Sequence, residues 1–308
     1  MAYSAQDVTQ VVARTLRVPD DYRRFTASGS LAHQLYRIGD GLLAALVDSG
    51  LRFRGSGPTA RYDELDLANV AISLKLPSPV FLAMHWWPTN LRLAGSKPST
   101  YKVGFRSRCS SGNCHACTKT FAHDLSRCAT AFIETPGEPF ADALATVRVA
   151  LEPVALPDYV CELFTKLDGV EWHLLPAALA HDIEFIRTAR LADCRLSSYY
   201  LYRLGIARKL QVRPAFGIIV SAPFSAFHYW TEFRDADRWL PADPLLFRSL
   251  EEWSLLEQGQ WPVAMSPTGM LWRLNSRNVP LAWHNGQPAK VTMPTTKLAG
   301  DDGVCGLG

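Results

Sequence analysis

The sequence predicts an α+β protein, because helical and strand-like patterns of apolar residues occupy different regions of the chain. Apolar residues at helical spacing dominate residues 1 to about 55, and helix-like runs return beyond Pro157. Three later segments are rich in β-forming residues: Val212–Ala222, Phe227–Phe233 and Arg238–Leu240. Breaks rich in glycine and proline separate the regions, so the chain has room for more than one domain.

The first 55 residues show the period of amphipathic helices. The apolar positions of this pattern are Val8, Val11, Val12, Leu16, Leu31, Leu35, Ile38, Leu42, Leu43 and Leu46. The pattern stops at Gly55-Ser56-Gly57-Pro58. From Asp66 to Pro98, short apolar runs broken by prolines favour strands or buried loops.

The composition is that of a globular protein, with 48% hydrophobic and 20% charged residues in a chain of 308. The formal net charge of +3 is small and no dense Lys/Arg run occurs, so nucleic acid is not an expected partner. The longest apolar runs are far too short to span a bilayer, and the start does not resemble a signal peptide. We therefore expect a cytoplasmic protein without a membrane partner.

Cysteines are concentrated in one stretch of the chain. Four of the seven follow the spacing C-x4-C-x2-C-x10-C, namely Cys109, Cys114, Cys117 and Cys128. Their odd total and their clustering argue against secreted disulfides. Three interpretations stay open: a structural zinc site, ordinary reduced cysteines, or an iron–sulfur or redox role. His115 or His123 could replace one thiolate of a zinc site.

Cys194 lies where the pattern predicts the start of a helix. In ADCRLSSYYLYRLG, residues 192–205, Asp193 is a good N-cap and Gly205 is placed to end the helix. The unpaired N–H groups and the positive dipole end of a first turn favour a thiolate, the reactive form of a cysteine nucleophile. Taken alone, Cys194 would be better explained as a small apolar residue packed at a helix start.

A histidine and an aspartate that follow Cys194 change that interpretation. The segment Phe227–Pro244 alternates strictly around the polar turn Asp235-Ala236-Asp237, which predicts a β-hairpin. One register of this hairpin puts His228 opposite Pro244, and a shift of one residue puts it opposite Asp243. Cross-strand partners lie within about 5 Å, so Asp243 could accept a hydrogen bond from His228 and fix its tautomer.

This chain order resembles that of the transglutaminase-like superfamily of papain-type enzymes. Three stretches carry the resemblance: Cys194 with LYRLGIARKLQVRPAFG at 201–217, HYWTE at 228–232 and WLPADP at 239–244. They resemble the family's nucleophile helix with its Leu-x-x-Leu-Gly-Ile-x-Ala-Arg run, its His-x-Trp-x-Glu strand and its Trp-x-x-x-Asp-Pro ending. The match covers roughly residues 157–250.

The resemblance implies a transglutaminase-like (papain-like) core, with the nucleophile at a helix N-terminus packed on an antiparallel sheet and a mixed α/β domain before it. It implies Cys194 as nucleophile, His228 as general base and then general acid, and Asp243 as the residue that orients the imidazole. The oxyanion would be met by the Cys194 N–H and one side-chain donor. Trp172 is a candidate donor, although core packing is the more usual role of such a tryptophan. This chemistry requires no cofactor.

Changes of pattern divide the chain into three predicted regions. Residues 1–152 would form a recognition domain with the cysteine cluster, 153–260 the catalytic core, and 261–308 a C-terminal extension. Cys305, in the glycine-rich tail, is interpreted as incidental.

Other histidines and tryptophans carry weaker signals. No ligand spacing links His33, His85, His173, His181 and His284, which are interpreted as satisfied core or surface imidazoles. The run His85-Trp86-Trp87-Pro88 favours core packing, or else a groove for an acyl acceptor.

The leading hypothesis is a cysteine acyltransferase that forms or exchanges an amide bond in natural-product or peptide biosynthesis. Its partners would be a peptide, amide or carrier-bound thioester donor and an amine acceptor. The second hypothesis is a cysteine peptidase or amidase with water as acceptor, similar to the leader peptidases of lasso-peptide maturation, whose Pro-Phe-x-Ala-His-Ala-Trp strand resembles residues 223–230. The third is a non-catalytic binding module, against which the intact Cys194, His228 and Asp243 argue.

Overall fold

A computed structural model describes residues 3–92, 97–108, 119–121, 131–133, 140–151, 153–298 and 305–306. The chain forms two compact units, each assembled from three separate segments. Unit 1 consists of Met1–His85, Leu163–Leu201 and Pro244–Gly259, and unit 2 consists of Trp86–Glu162, Tyr202–Asp243 and Gln260–Gly308. The three domains expected from the sequence are continuous segments, whereas each of the two units combines segments from distant parts of the chain. The three-domain division stays a prediction.

Helices dominate the first 92 residues, and strands dominate the later part of the described chain. The helices are α1 (Ala5–Thr15), α2 (Gly29–Tyr36), α3 (Asp40–Asp48), α4 (Glu64–Ser73), α5 (Pro79–His85), α6 (Thr89–Arg92), α7 (Asp158–Phe164), α8 (Ile183–Ala189), α9 (Cys194–Ala207) and α10 (Pro244–Glu252). The first strands are β1 (Phe25–Ser28), β2 (Phe53–Arg54), β3 (Arg61–Asp63), β4 (Ser99–Arg108), β5 (Lys119–Phe121), β6 (Ala131–Ile133), β7 (Phe140–Val149), β8 (Val154–Ala155), β9 (Glu171–Trp172) and β10 (Leu191–Ala192). The later strands are β11 (Val212–Ile219), β12 (Phe224–Asp235), β13 (Arg238–Ala242), β14 (Met265–Ser266), β15 (Leu271–Asn275), β16 (Ala282–His284), β17 (Gln287–Pro288), β18 (Val291–Lys297) and β19 (Cys305–Gly306).

Unit 1 has a helical core to which the N-terminal helices contribute, as the sequence predicts. Ser4 caps α1 by accepting a hydrogen bond from the Asp7 N–H, and the apolar face of α1 is buried. The apolar pattern of residues 31–46 belongs to two helices rather than one, because Arg37 adopts a left-handed φ of 61° that ends α2. Leu16 and Leu35, which belong to the predicted helical pattern, are each 38% exposed and lie outside the core.

The predicted strands or buried loops between Asp66 and Pro98 are largely helices instead. Asp63 caps α4 by accepting hydrogen bonds from two backbone N–H groups of the first turn. Seven consecutive residues of α4, from Asp66 to Ile72, are buried. A helix that is buried all round has no polar stripe, and the sequence therefore shows no amphipathic period there.

Unit 2 contains a nine-stranded sheet with the order β15-β11-β12-β18-β4-β7-β19, in which β13 also pairs with β12 and β6 with β7. Neighbouring strands are antiparallel except at the parallel pair of β19 and β7. Apolar side chains of β4, β7, β11 and β15 form the core of this unit. The chain thus combines helices with a mostly antiparallel sheet, whereas a transglutaminase-like core in particular stays a prediction.

The predicted hairpin is confirmed, with a different register. A two-residue turn, Ala236-Asp237, closes it with a left-handed φ of 48° at Ala236, and the strand pairing begins at Asp235 with Arg238. The last pair is Thr231 with Ala242. Asp243 therefore lies diagonally from His228 rather than opposite to it.

Helix α9 begins at Cys194 as predicted, but Gly205 does not end it. The helix continues to Ala207, and the chain reverses at Lys209, whose φ is 57°. A Cβ atom on Gly205 would lie 3.0 Å from the Val212 side chain and 3.1 Å from Phe233. The glycine therefore allows α9 to approach strands β11 and β12 closely.

Among the residues that the structure describes, no helix has the length and apolar character that crossing a membrane requires.

Candidate active site

The N-terminus of α9 is fixed by a capping aspartate. Asp193 Oδ1 accepts the backbone N–H groups of Arg195 at 2.9 Å and Leu196 at 3.1 Å. Arg195 Nε in turn donates to Asp193 Oδ2 at 2.8 Å, which compensates the charge of the buried carboxylate. Cys194 follows this cap as a free, partly exposed thiol. The helix start thus holds the thiol at the end where the helix dipole is positive.

The hairpin of unit 2 brings His228 and Asp243 together. His228 Nε2 lies 2.5 Å from Asp243 Oδ2, and the two side chains are 1% and 4% exposed. Because Pro244 follows Asp243, the backbone of the aspartate is biased towards the extended conformation that continues β13. With Nε2–H donating to the carboxylate, Nδ1 is the nitrogen with a lone pair that can accept a proton from a nucleophile.

Two tryptophan rings lie beside the His228 imidazole. Trp87 meets it edge to face, with ring centroids 6.1 Å apart, and Trp230 lies nearly parallel at 6.5 Å. Both tryptophans are buried. The sequence predicts core packing or an acceptor groove for the run that contains Trp87. For Trp230, the signal in the sequence is the alternation His-x-Trp, which places it on the same face of β12 as His228.

Trp172, the candidate oxyanion donor, is buried in unit 1. Its ring packs edge to face against Trp253, with centroids 5.7 Å apart. This environment agrees with core packing.

The predicted zinc ligands Cys109, Cys114, Cys117 and Cys128 lie outside the described residues, and so do His115 and His123. Within the described ranges, no group of three or more His, Cys, Asp and Glu side chains is arranged to hold a metal ion. The zinc site stays a prediction.

His173 is buried without the hydrogen bonds expected of a core histidine. It follows β9, and its backbone N–H donates to Ala192 O at 2.9 Å. The side chain is 1% exposed, and neither ring nitrogen has a hydrogen-bond partner among the described residues. Burial, together with the positive charges of Arg14, Arg17 and Arg23, lowers the pKa of His173 to about 3.

We expect acid to destabilise unit 1 through His173. As the pH falls from 6.5 to about 3, the unfolded chain binds a proton that the folded chain excludes, so stability present above pH 6.5 is lost. The slope approaches about 1.4 kcal/mol per pH unit. Thermal melts over a pH series should show a steeper acid loss for wild type than for His173→Leu. The exposed His33→Gln is the control and should keep the wild-type slope.

Asp66 opposes this effect in part of the range. Its carboxylate accepts a hydrogen bond from Arg23 Nε at 2.7 Å, yet burial outweighs that cation and raises the pKa of Asp66 to about 6. As the pH falls from about 6 to 3.8, the folded chain binds a proton that the unfolded chain lacks, which adds stability. The net loss of wild type should therefore show mainly below that window, whereas the difference between wild type and His173→Leu should extend from pH 6.5 to about 3. Equal acid slopes for wild type and His173→Leu would contradict the assignment.

No protein-family model matches the chain, and no curated protein matches it. Among solved structures, the chain is similar to one described as a "Putative Cysteine Protease from Cytophaga hutchinsonii". The identity is 11% and the TM-score 0.34, over 68% of this chain and 94% of that one. So slight a likeness assigns no activity.

Proposed function

We propose that this protein is a cysteine-dependent enzyme that transfers an acyl group through a thioester on Cys194. The observation that carries the proposal is the buried hydrogen bond between His228 and Asp243. It is supported by the free thiol at the start of α9, which precedes this pair in the chain. A buried imidazole–carboxylate pair is the arrangement that activates a nucleophile in acyl-transfer enzymes.

In the proposed reaction, the Cys194 thiol gives its proton to His228 Nδ1 and the thiolate attacks the carbonyl carbon of an amide or thioester. Asp243 accepts the Nε2–H and stabilises the imidazolium that forms. The backbone N–H of Cys194 would donate to the oxyanion. When the tetrahedral intermediate collapses, His228 returns the proton to the leaving amine or thiol, and the acyl group remains on Cys194.

The acceptor in the second half-reaction is proposed to be an amine. Trp87 and Trp230 pack against the imidazole, which is almost entirely shielded from water. Exclusion of water from an acyl-enzyme favours transfer over hydrolysis. With water as acceptor, the same residues would make the enzyme a peptidase or amidase. Adding hydroxylamine to the acyl-enzyme and measuring the ratio of hydroxamate to free acid separates the two.

The proposal requires Cys194 Sγ and His228 Nδ1 to meet, which a bifunctional reagent tests directly. In 1,3-dibromoacetone, a single carbonyl carbon separates two electrophilic carbons. We expect Cys194 to displace the first bromide and His228 the second. Peptide mapping by mass spectrometry should then recover the peptides of the two residues joined by the acetone bridge. The reason is that the proposed reaction needs the Cys194 thiol and the His228 imidazole within reach of one acyl carbon.

Cys161 provides the internal control. Burial, and then the nearby Asp158 carboxylate, raise the pKa of the Cys161 thiol, so its alkylation should be slower. The His228→Ala protein should gain one adduct on Cys194 and no bridge. First reaction at Cys161, or a bridge from Cys194 to another residue, would count against the proposed site.

A further inference from the structure

One face of β12 presents a row of three buried side chains. His228, Trp230 and Glu232 alternate along the strand and therefore point to the same side of the sheet. Their exposed fractions are 0%, 1% and 4%. The imidazole and the indole are nearly parallel, with an interplanar angle of 14°. Trp230 Nε1 donates a hydrogen bond to Glu232 Oε1 at 3.0 Å.

Two arginines hold Glu232 at the far end of this row. Arg213, directly opposite Glu232 on β11, donates from Nε to Glu232 Oε2 at 2.5 Å. Arg273 of β15 places its Nε 3.3 Å from the same oxygen. A buried carboxylate that meets two guanidinium groups and an indole N–H is compensated and has little freedom to move. The acceptor of the Trp230 N–H is therefore fixed in space.

The lack of a side chain at Gly217 leaves room for the other end of the Trp230 indole. Gly217 of β11 is directly opposite His228. A Cβ atom there would lie 2.7 Å from Trp230 Cη2 and would overlap the carbonyl oxygen of Trp272. The benzene edge of Trp230 therefore occupies the space that a side chain would fill. The indole is held at its nitrogen by Glu232 and at its far edge by the backbone of Gly217.

We propose that Trp230 is a positioning residue that sets the plane of the His228 imidazole, and that Glu232 and Gly217 fix Trp230 for this purpose. The proposal rests on the proposed function, in which His228 is the base. The hydrogen bond to Asp243 restrains one ring atom but leaves the ring free to turn. A nearly parallel indole on one side, with the edge contact of Trp87, removes that freedom and so aims Nδ1. Centroids 6.5 Å apart lie beyond the range of about 6 Å for a cation–π attraction, so orientation is the main effect.

The test is Trp230→Phe, which keeps a flat ring but loses the N–H that Glu232 holds. With p-nitrophenyl acetate as the acyl donor, kcat should fall about 10²-fold, the cost of a small misplacement of a catalytic group. KM should change little. The pH at which kcat reaches half of its maximum on the acid side should shift, and a purely structural loss would not cause such a shift. Trp261→Phe is the matched control, since it also removes a buried indole N–H, here bonded to Met265 O at 3.2 Å. It should keep wild-type kcat and the wild-type pH profile.

Glu232→Gln covers the case in which Trp230→Phe does not fold. This variant keeps the indole, so any change in the ring-current shift of the His228 Cε1–H proton in NMR spectra reports movement of one ring relative to the other. We expect that signal to shift and kcat to fall. An unchanged shift with unchanged kcat overturns the positioning role, even if Cys194→Ala and His228→Ala are inactive and the proposed function stands. If Cys194→Ala remains active, the proposed function fails, while the NMR signal still decides whether Glu232 sets the ring plane.

Discussion

Replacement of Cys194 by alanine is expected to abolish formation of the acyl-enzyme. The change removes the only atom that can carry the acyl group in the proposed reaction, and it removes little volume from a partly exposed site. Turnover of p-nitrophenyl acetate should fall by about 10⁶-fold, to the background rate. Intact-protein mass spectrometry should find one acetyl group on wild type after rapid quenching and none on the variant.

Cys161→Ala is the control, because it removes a second thiol that the structure also shows to be free. It should acylate and turn over like wild type. The melting temperature of Cys194→Ala should remain close to that of wild type, which separates loss of the nucleophile from loss of the fold. A folded Cys194→Ala protein that turns over at the wild-type rate would refute the proposed mechanism.

Asp243→Asn is expected to be the next most damaging change. An asparagine amide at this position can donate to His228 Nε2, which would move the ring proton to Nδ1 and leave no base facing the nucleophile. In serine enzymes with an analogous pair, the same substitution costs about 10⁴-fold in kcat. We expect a loss of similar order, because the pair here is buried and its separation is 2.5 Å. Loss of kcat at unchanged KM is the measurement.

Asp237→Asn makes the same chemical change at the fully exposed turn of the same hairpin. It should leave kcat within error of wild type. His228→Ala should match or exceed the loss in Asp243→Asn. If Asp243→Asn lowers kcat no more than Asp237→Asn does, the carboxylate has no part in orienting the base.

The features that sequence predicted well are local ones. Asp193 is recognisable as a helix cap because its hydrogen bonds involve only the first turn of the helix that follows. The hairpin is recognisable because alternating apolar and polar residues flank a polar turn. The pairing register was missed because it depends on the left-handed conformation of Ala236. Helix α4 was missed because burial on all sides removes the period that marks a helix.

Long-range features could not be predicted from the sequence. Trp87 reaches His228 from a position 141 residues earlier in the chain, and no local pattern signals such a contact. The alternation on β12 contains a signal that Trp230 and Glu232 share a face with His228. The two arginines that hold Glu232 come from β11 and β15, and the sequence does not reveal which strands will be neighbours.

The division of each unit into three segments has a consequence for biosynthesis. The last segment of unit 1 leaves the ribosome long after the first, and β11 and β12 of unit 2 must wait for β15 and β18 to complete the sheet beside them. Contacts so distant in sequence form slowly, because the loops between them must close first. A nascent chain of this protein therefore exposes apolar strands until β15 and β18 have been synthesised, and we expect it to need chaperone protection during translation.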